Sequence, residues 1–149
     1  MPTVQKFDRS MIEKYLKSVN LKYLRDSDGD FVAQFAYDED TGCKLTLYLI
    51  AAGQKNEIYV IRVLSDKRIP KSDWGRAMML CNTWNDERRW PKAYLHVANP
   101  DKDTIGTIVL EEQIDLEKGI HQELLDDLTT TILMGAHLFW EWAHKEKGL

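Results

Sequence analysis

WGRAMMLCNTWNDERRWPKAYL, residues 74–95, changes from a helical to an extended pattern within a few residues. Its apolar side chains recur at the spacing of one helix face: Trp74, Ala77, Met78, Cys81 and Trp84. The helical pattern ends at Asn82-Thr83-Trp84-Asn85, and after Pro91 residues 92–98 are predicted to form a strand. Two amides and an indole at one helix end are unfavourable to bury without hydrogen bonds. We therefore expect them to form specific contacts with a neighbouring element.

The chain before this stretch predicts one helix followed by an antiparallel meander. The helix runs from about Asp8 to Val19, with Asp8 as its N-cap. Its expected buried face is Met11, Ile12, Tyr15, Leu16 and Val19. Residues 21–25 are a short candidate strand, and alternation predicts strands over 31–37, 43–51 and 58–64. The short turns between these last three strands favour antiparallel pairing.

The second half predicts one more strand pair and a long final helix. Ser72 or Asp73 is the expected cap of the second helix, and residues 107–114 form the strand after 92–98. The final helix spans about 120–145, with an apolar face of Leu124, Leu125, Leu128, Ile132, Ala136, Phe139 and Ala143. The order α-β-β-β-α-β-β-α predicts a single α+β domain over residues 1–149. It has three helices and a mainly antiparallel sheet of about five strands.

The composition argues against several classes of function and indicates a cellular location. The net charge of −4, from 20 basic and 24 acidic residues, argues against a general nucleic-acid or anionic-membrane binder. The first residues have no apolar core and no run reaches membrane-spanning length, so we expect neither a secretion signal nor a membrane span. Cys43 and Cys81 both fall in apolar patterns and are expected to be buried thiols. We therefore expect a cytoplasmic protein.

Several segments together resemble the YbjN-like family of bacterial sensory transduction regulators. They are Asp28-Gly29-Asp30-Phe31, the helix 76–85, the stretch 89–95, Val109-Leu110-Glu111 and Gly119-Ile120. The order of elements is similar to the fold of type III secretion chaperones. The resemblance implies a cytosolic, non-catalytic and homodimeric domain that binds or regulates. The family has no agreed catalytic residues, so the resemblance transfers none.

No motif in the chain predicts catalysis, a metal site or a cofactor. The acidic turn 26–30 has its glycine at the wrong position for a calcium loop and is predicted to be a hairpin turn. His137, Glu141 and His144 share one helix face at a spacing that a metal could use, but a mixed exposed face is the simpler explanation. An uncharacterised enzyme using Arg88, His96 or Cys81 stays a minor alternative.

The candidate binding residues are two amides, two arginines and four tryptophans. Asn82 and Asn85 either tie the helix end to a strand or line a polar pocket beside Trp84 and Trp90. If they are structural, Asn82→Ala should cost about 1–3 kcal/mol. The full candidate set is Asn82, Trp84, Asn85, Arg88, Arg89, Trp90, Trp140 and Trp142. At least one of Trp140 and Trp142 should be partly exposed, because they lie two positions apart on a helix.

We therefore expect a non-enzymatic, chaperone-like interaction domain that binds a protein segment on a sheet face or an exposed edge. A small-molecule or signal sensor, with a pocket between the sheet and the helices, is the alternative. The sequence predicts neither a cofactor nor a metal, and it predicts no nucleic-acid or membrane partner.

Overall fold

Three α-helices and seven strands follow one another along residues 3–149, the part of the chain that the computed structural model describes. The helices are α1 (Arg9–Ser18), α2 (Trp74–Glu87) and α3 (Gln122–Lys145). The strands are β1 (Leu24–Arg25), β2 (Phe31–Gln34), β3 (Leu45–Ala52), β4 (Ile58–Ser65), β5 (Ile69–Pro70), β6 (Lys92–His96) and β7 (Ile105–Asp115). A short 3₁₀ helix, Lys71–Asp73, leads directly into α2.

All strands belong to one antiparallel sheet in the order β1-β2-β3-β4-β7-β5, with β6 also paired to β7. The meander β2-β3-β4 is confirmed. The long strand β7 pairs with β4 on one side and with β6 and β5 on the other. The register places Leu47 beside Val63, Val63 beside Leu110 and Leu110 beside Ala93, so one face of the sheet is apolar across four strands.

The helices bury this apolar face. The Tyr59 hydroxyl on β4 is 2.6 Å from the Thr129 hydroxyl on α3, and both residues are fully buried. Trp84 on α2 meets Phe139 on α3 edge to face, with ring centroids 5.3 Å apart. Because side chains alternate along a strand, the opposite face of the sheet carries a different set, which includes Arg62 and Glu111. The α+β prediction is therefore confirmed.

The sheet has seven strands rather than about five, and several strand ends differ from the predictions. Strand β1 lies within the candidate strand predicted over residues 21–25, whereas β5 was not predicted, because two residues are too short to show a periodic pattern. Strand β2 ends at Gln34 rather than Tyr37, and β3 begins at Leu45 rather than Cys43. Asp38 and Cys43 form only an isolated bridge, because the turn between them separates the two strands.

Three residues predicted to face the core are exposed: Val19, Met78 and Leu124. Val19 is the C-cap residue of α1, and Leu124 lies in the first turn of α3 next to the fully buried Leu125. Asp8 caps α1 as predicted, accepting from two backbone N–H groups. Asp73 is the N-cap residue of α2, one of the two predicted, but its side chain makes no capping hydrogen bond, and the 3₁₀ turn 71–73 leads into the helix.

Candidate functional site

The end of α2 is fixed to β6 by two side chains. Asn85 donates from Nδ2 to the Ala93 carbonyl and accepts at Oδ1 from the Ala93 N–H, each at 2.9 Å. Trp84 is buried and donates from Nε1 to the Pro91 carbonyl at 2.9 Å. The predicted tie between helix end and strand is thus confirmed for Asn85. It is wrong for Asn82, whose side chain is exposed and takes no part in this contact.

Beyond this tie the chain forms one wall of a groove along α3, which we call the Trp90 groove. It encloses about 770 Å³. It is lined by Trp84, Asp86, Glu87, Arg88, Arg89, Trp90, Thr131, Met134, Gly135 and Leu138. A Cβ on Gly135 would lie 2.8 Å from Pro91 Cδ and 3.2 Å from the Trp90 carbonyl oxygen. The lack of a side chain at Gly135 therefore lets the 90–91 segment lie directly against α3.

The groove combines exposed apolar side chains with arginine. Trp90, Met134 and Leu138 are 47%, 61% and 50% exposed. The Arg88 guanidinium lies 5.0 Å from the centroid of the buried Trp84 ring, a cation–π contact. Four predicted residues, Trp84, Arg88, Arg89 and Trp90, therefore come together in the structure.

The residues that α3 contributes to this groove were not among the candidate residues predicted from the sequence. Thr131, Met134 and Leu138 lie at helical spacing and form an outward stripe on α3, separate from the buried one. Their spacing could have indicated a second helix face from the sequence, although it does not show which of the two faces packs against the sheet.

Neither of the remaining two tryptophans lines the Trp90 groove. Trp140 is fully buried against Phe139, with ring centroids 5.3 Å apart, so it is a core residue and its assignment as a binding residue is corrected. Trp142 is half-buried, lies 5.9 Å from the Trp84 ring and has the Lys147 ammonium 5.7 Å from its own ring. The expectation that one of the two is partly exposed therefore holds for Trp142.

A second cavity of about 680 Å³ lies between the end of β2 and α3, and we call it the β2 cavity. Its lining is Phe35, Ala36, Tyr37, Asp38, Glu39, Thr41, Cys43, Leu45, Leu133, Met134 and His137. Met134 also lines the Trp90 groove, so the two concave surfaces adjoin across α3. The sensor hypothesis expects a pocket between sheet and helices, and the β2 cavity has that location.

The acidic turn 26–30 has the hydrogen bonding of a hairpin turn. The carboxylates of Asp26, Asp28 and Asp30 lie within 4.8 Å of one another. Asp26 Oδ1 accepts from the backbone N–H groups of Asp28 and Asp30. Asp30 is buried and accepts from Arg9 Nε at 3.1 Å and from the Ala51 N–H at 2.9 Å. These carboxylates therefore hold the turn and connect it to β3 and α1.

The other candidate chemical groups do not converge. His137 Nε2 lies 3.8 Å from Glu141, whereas His144 Nδ1 lies 3.3 Å from the Leu149 carbonyl oxygen. Cys43 and Cys81 are free and buried, and burial raises the pKa of the Cys81 thiol to about 11. A thiol with so high a pKa is almost wholly protonated, and therefore a weak nucleophile, at neutral pH. Within residues 3–149, every helix is too short or too polar to cross a membrane.

Two comparisons with known proteins match nearly the whole chain. The family model YbjN, described as "Putative bacterial sensory transduction regulator", matches residues 8–145. The structure described as "Crystal structure of YbjN, a putative transcription regulator from E. coli" is similar with a TM-score of 0.75. The match covers 97% of each chain at 9% sequence identity, so it shows a shared fold. No curated protein sequence matches the chain.

Proposed function

The chain belongs to the YbjN family, and on this premise we propose that it is a non-enzymatic, chaperone-like regulatory domain that binds a protein segment in the Trp90 groove. The family description points to regulation. The groove provides a surface of the composition that protein interfaces use, because tryptophan, methionine and arginine are enriched there.

One observation carries the proposal: three large apolar side chains are exposed at the same groove. Single exposed apolar residues are ordinary, but a cluster in a concave site indicates a binding surface. The groove is also firmly built, since Trp84 is hydrogen-bonded to Pro91 and Gly135 allows close packing. A rigid floor lowers the entropy lost when a segment binds.

The groove is lined by the carboxylates Asp86 and Glu87 as well as by two arginines, and the arginines are the charged residues that directly precede Trp90. Arg88 and Arg89 lie beside Trp90, and guanidinium groups bind carboxylates through paired hydrogen bonds. We therefore infer that the bound segment carries a large apolar residue that contacts Trp90 and Leu138, followed by Asp or Glu.

Peptide selection tests this proposal. Random twelve-residue peptides displayed on phage and selected on the folded chain should be enriched in an apolar residue beside Asp or Glu. Trp90→Ala and Leu138→Ala should each weaken binding of the synthesised peptides at least about tenfold, as for an interface hot spot. Leu124→Ala is the matched control, because Leu124 is an exposed leucine on α3 outside both concave surfaces. Equal affinity for the chain and for its Trp90→Ala variant would refute this site.

We further propose that the chain forms a homodimer in the cytoplasm, as the family resemblance implies. Exposed Met78 and Met79 on α2 supply apolar surface outside the Trp90 groove. Light scattering at micromolar concentration should give twice the chain mass of 17.4 kDa, and the double substitution Met78→Glu/Met79→Glu should halve it. A monomer at that concentration counts against the dimer, and cell fractionation tests the compartment.

A further inference from the structure

The outer edge of the sheet at the end of β2 is open. The Phe35 N–H donates to the Leu45 carbonyl at 2.9 Å, and β2 pairs with β3 from Phe31 to Gln34. Backbone groups of alternate residues point to opposite sides in an antiparallel ladder, so those of Gln34 point away from β3. Ala36 lies beyond β2, between the Phe35–Leu45 hydrogen bond and the Asp38–Cys43 bridge, and within residues 3–149 its N–H donates to no backbone group. On that side β1 reaches only Val32. Within residues 3–149, no strand lies beside Gln34 and Ala36, and both residues are exposed.

The opposite end of the sheet is closed. The Asn85 amide bonds both backbone groups of Ala93 on β6, in the way that a neighbouring strand would. Strand β5 carries Pro70, which has no N–H to offer. Proteins usually block sheet edges with such devices or with lysine and proline. Residues 34–37, Gln-Phe-Ala-Tyr, carry none of them.

The β2 cavity lies directly beside this open edge. Phe35, Ala36 and Tyr37 line it from the strand, and Leu133 and Met134 line it from α3. A strand added next to β2 would direct every second side chain to the helix-covered face of the sheet. Those side chains would enter the cavity, where the lining is mainly apolar.

The rim of the cavity is acidic where the edge ends. Asp38 and Glu39 follow Tyr37 directly and both line the cavity. Glu39 is exposed and forms no ion pair within residues 3–149, whereas Asp40 is paired with Lys145 Nζ at 2.7 Å and Asp38 lies 4.0 Å from His137 Nε2. A positively charged side chain at the end of an added strand would meet this rim with favourable electrostatics.

We propose that the open edge at residues 34–37 is a second docking site, which takes an extended segment of a partner protein by strand addition. The segment pairs with the backbone groups of Gln34 and Ala36. It places an apolar side chain in the β2 cavity and a lysine or arginine against Glu39 and Asp38. This site is independent of the Trp90 groove and prefers the opposite charge in its ligand.

The test uses random twelve-residue peptides displayed on phage, selected on the full chain carrying Trp90→Ala. Enriched peptides should alternate apolar residues and carry lysine or arginine. Ala36→Pro, which removes an N–H that donates to no backbone group within residues 3–149, should lower their affinity at least tenfold. Glu39→Lys should also lower the affinity at least tenfold. Because it introduces no proline, it tests the site even if Ala36→Pro fails to fold. Glu117→Lys, an equal charge change on another exposed loop, should leave affinity within twofold.

Hydrogen exchange supplies a readout specific to strand addition. Bound peptide should slow exchange of the Gln34 and Ala36 amides and leave the Ala93 amide unchanged, because Asn85 already bonds that amide. Failure to enrich any peptide on the Trp90→Ala chain overturns the proposal. The proposal is also overturned if the peptides bind both Ala36→Pro and Glu39→Lys with an affinity within twofold of that for the Trp90→Ala chain. Peptides that bind only the chain with Trp90 intact support the groove and overturn the open edge.

Discussion

Replacing Arg62 by methionine should lower the free energy of unfolding by about 2–3 kcal/mol at pH 7. Glu111 lies on β7 with its side chain only 1% exposed, and Arg62 Nη2 on β4 is 3.3 Å from its Oε2. Tyr94 on β6 and Gln113 also donate to this carboxylate. Without Arg62, Glu111 remains buried with two neutral donors and no cation. The expected loss in the free energy of unfolding is smaller than for a fully buried ion pair, because Arg62 is itself about one-third exposed.

The pH dependence distinguishes this account from a simple packing defect. Burial alone would raise the pKa of Glu111, but hydrogen bonds from Tyr94 and Gln113, together with the positive charge and the hydrogen bond of Arg62, outweigh burial and lower that pKa below its usual value. A lowered pKa in the folded chain contributes stability above the unfolded-state pKa, near 4, and this stability is lost as the pH falls through the folded-state pKa. Arg62→Met raises the pKa of Glu111, so the stability difference should shrink between pH 7 and pH 3.

Urea unfolding at pH 7 and pH 3 measures both effects. Lys17→Met is the control, since Lys17 and Glu13 form an exposed pair 3.8 Å apart on α1 that should contribute less than about 0.5 kcal/mol. Adding Glu111→Gln to Arg62→Met should restore stability at pH 7 because it removes the uncompensated charge. A loss under 1 kcal/mol at pH 7, or a difference that does not change with pH, would contradict an ionised Glu111.

The burial of Glu111 also shows why one part of the structure could not be predicted from sequence. Alternation along residues 107–114 identified a strand, and a glutamate there is usually assigned to the solvent face. Glu111 does lie on the face opposite the apolar core. It is buried because Arg62 comes from β4 and Tyr94 from β6, at sequence separations of 49 and 17. Such a network depends on strand register, which the periodicity of one segment does not encode.

The elements that could be predicted from the sequence are those with a strong local periodicity. The meander and the buried faces of α1 and α3 follow from alternation and helical spacing, and most of their apolar positions are buried. Strands of two residues have no period, which is why β5 was missed. Trp84, Arg88, Arg89 and Trp90 could be grouped because they are close in sequence. Met134 and Leu138 could not, since they join the groove through tertiary packing alone.

Substituting Asn85 by alanine should lower the free energy of unfolding by about 1–3 kcal/mol. The side chain forms two hydrogen bonds of 2.9 Å with Ala93, and both backbone groups of Ala93 lose their partner when it is removed. Thermal and urea unfolding of the purified variant measure the loss. Amide exchange at Ala93 should become faster, which locates the effect at the edge of β6.

Asn82→Ala is the matched control, because it makes the same change three residues earlier on the same helix. Asn82 and Asn85 are both exposed, but only Asn85 hydrogen-bonds to Ala93, so Asn82→Ala should be neutral or slightly stabilising, given that alanine favours helix more than asparagine does. The difference between the two variants therefore isolates the contact with Ala93. Equal stability of the two variants would show that the Asn85 amide contributes nothing beyond helix propensity.

Asn85→Asp separates the two hydrogen bonds of this contact. Aspartate keeps an oxygen for the Ala93 N–H but turns the donor to the Ala93 carbonyl into a second acceptor. Two acceptors then face each other, so Asn85→Asp should be at least as unstable as Asn85→Ala despite its similar shape. Both variants also free the β6 edge for pairing with other chains. Concentration-dependent association should therefore accompany their lower stability, and light scattering of Asn82→Ala should show none beyond that of the unsubstituted chain.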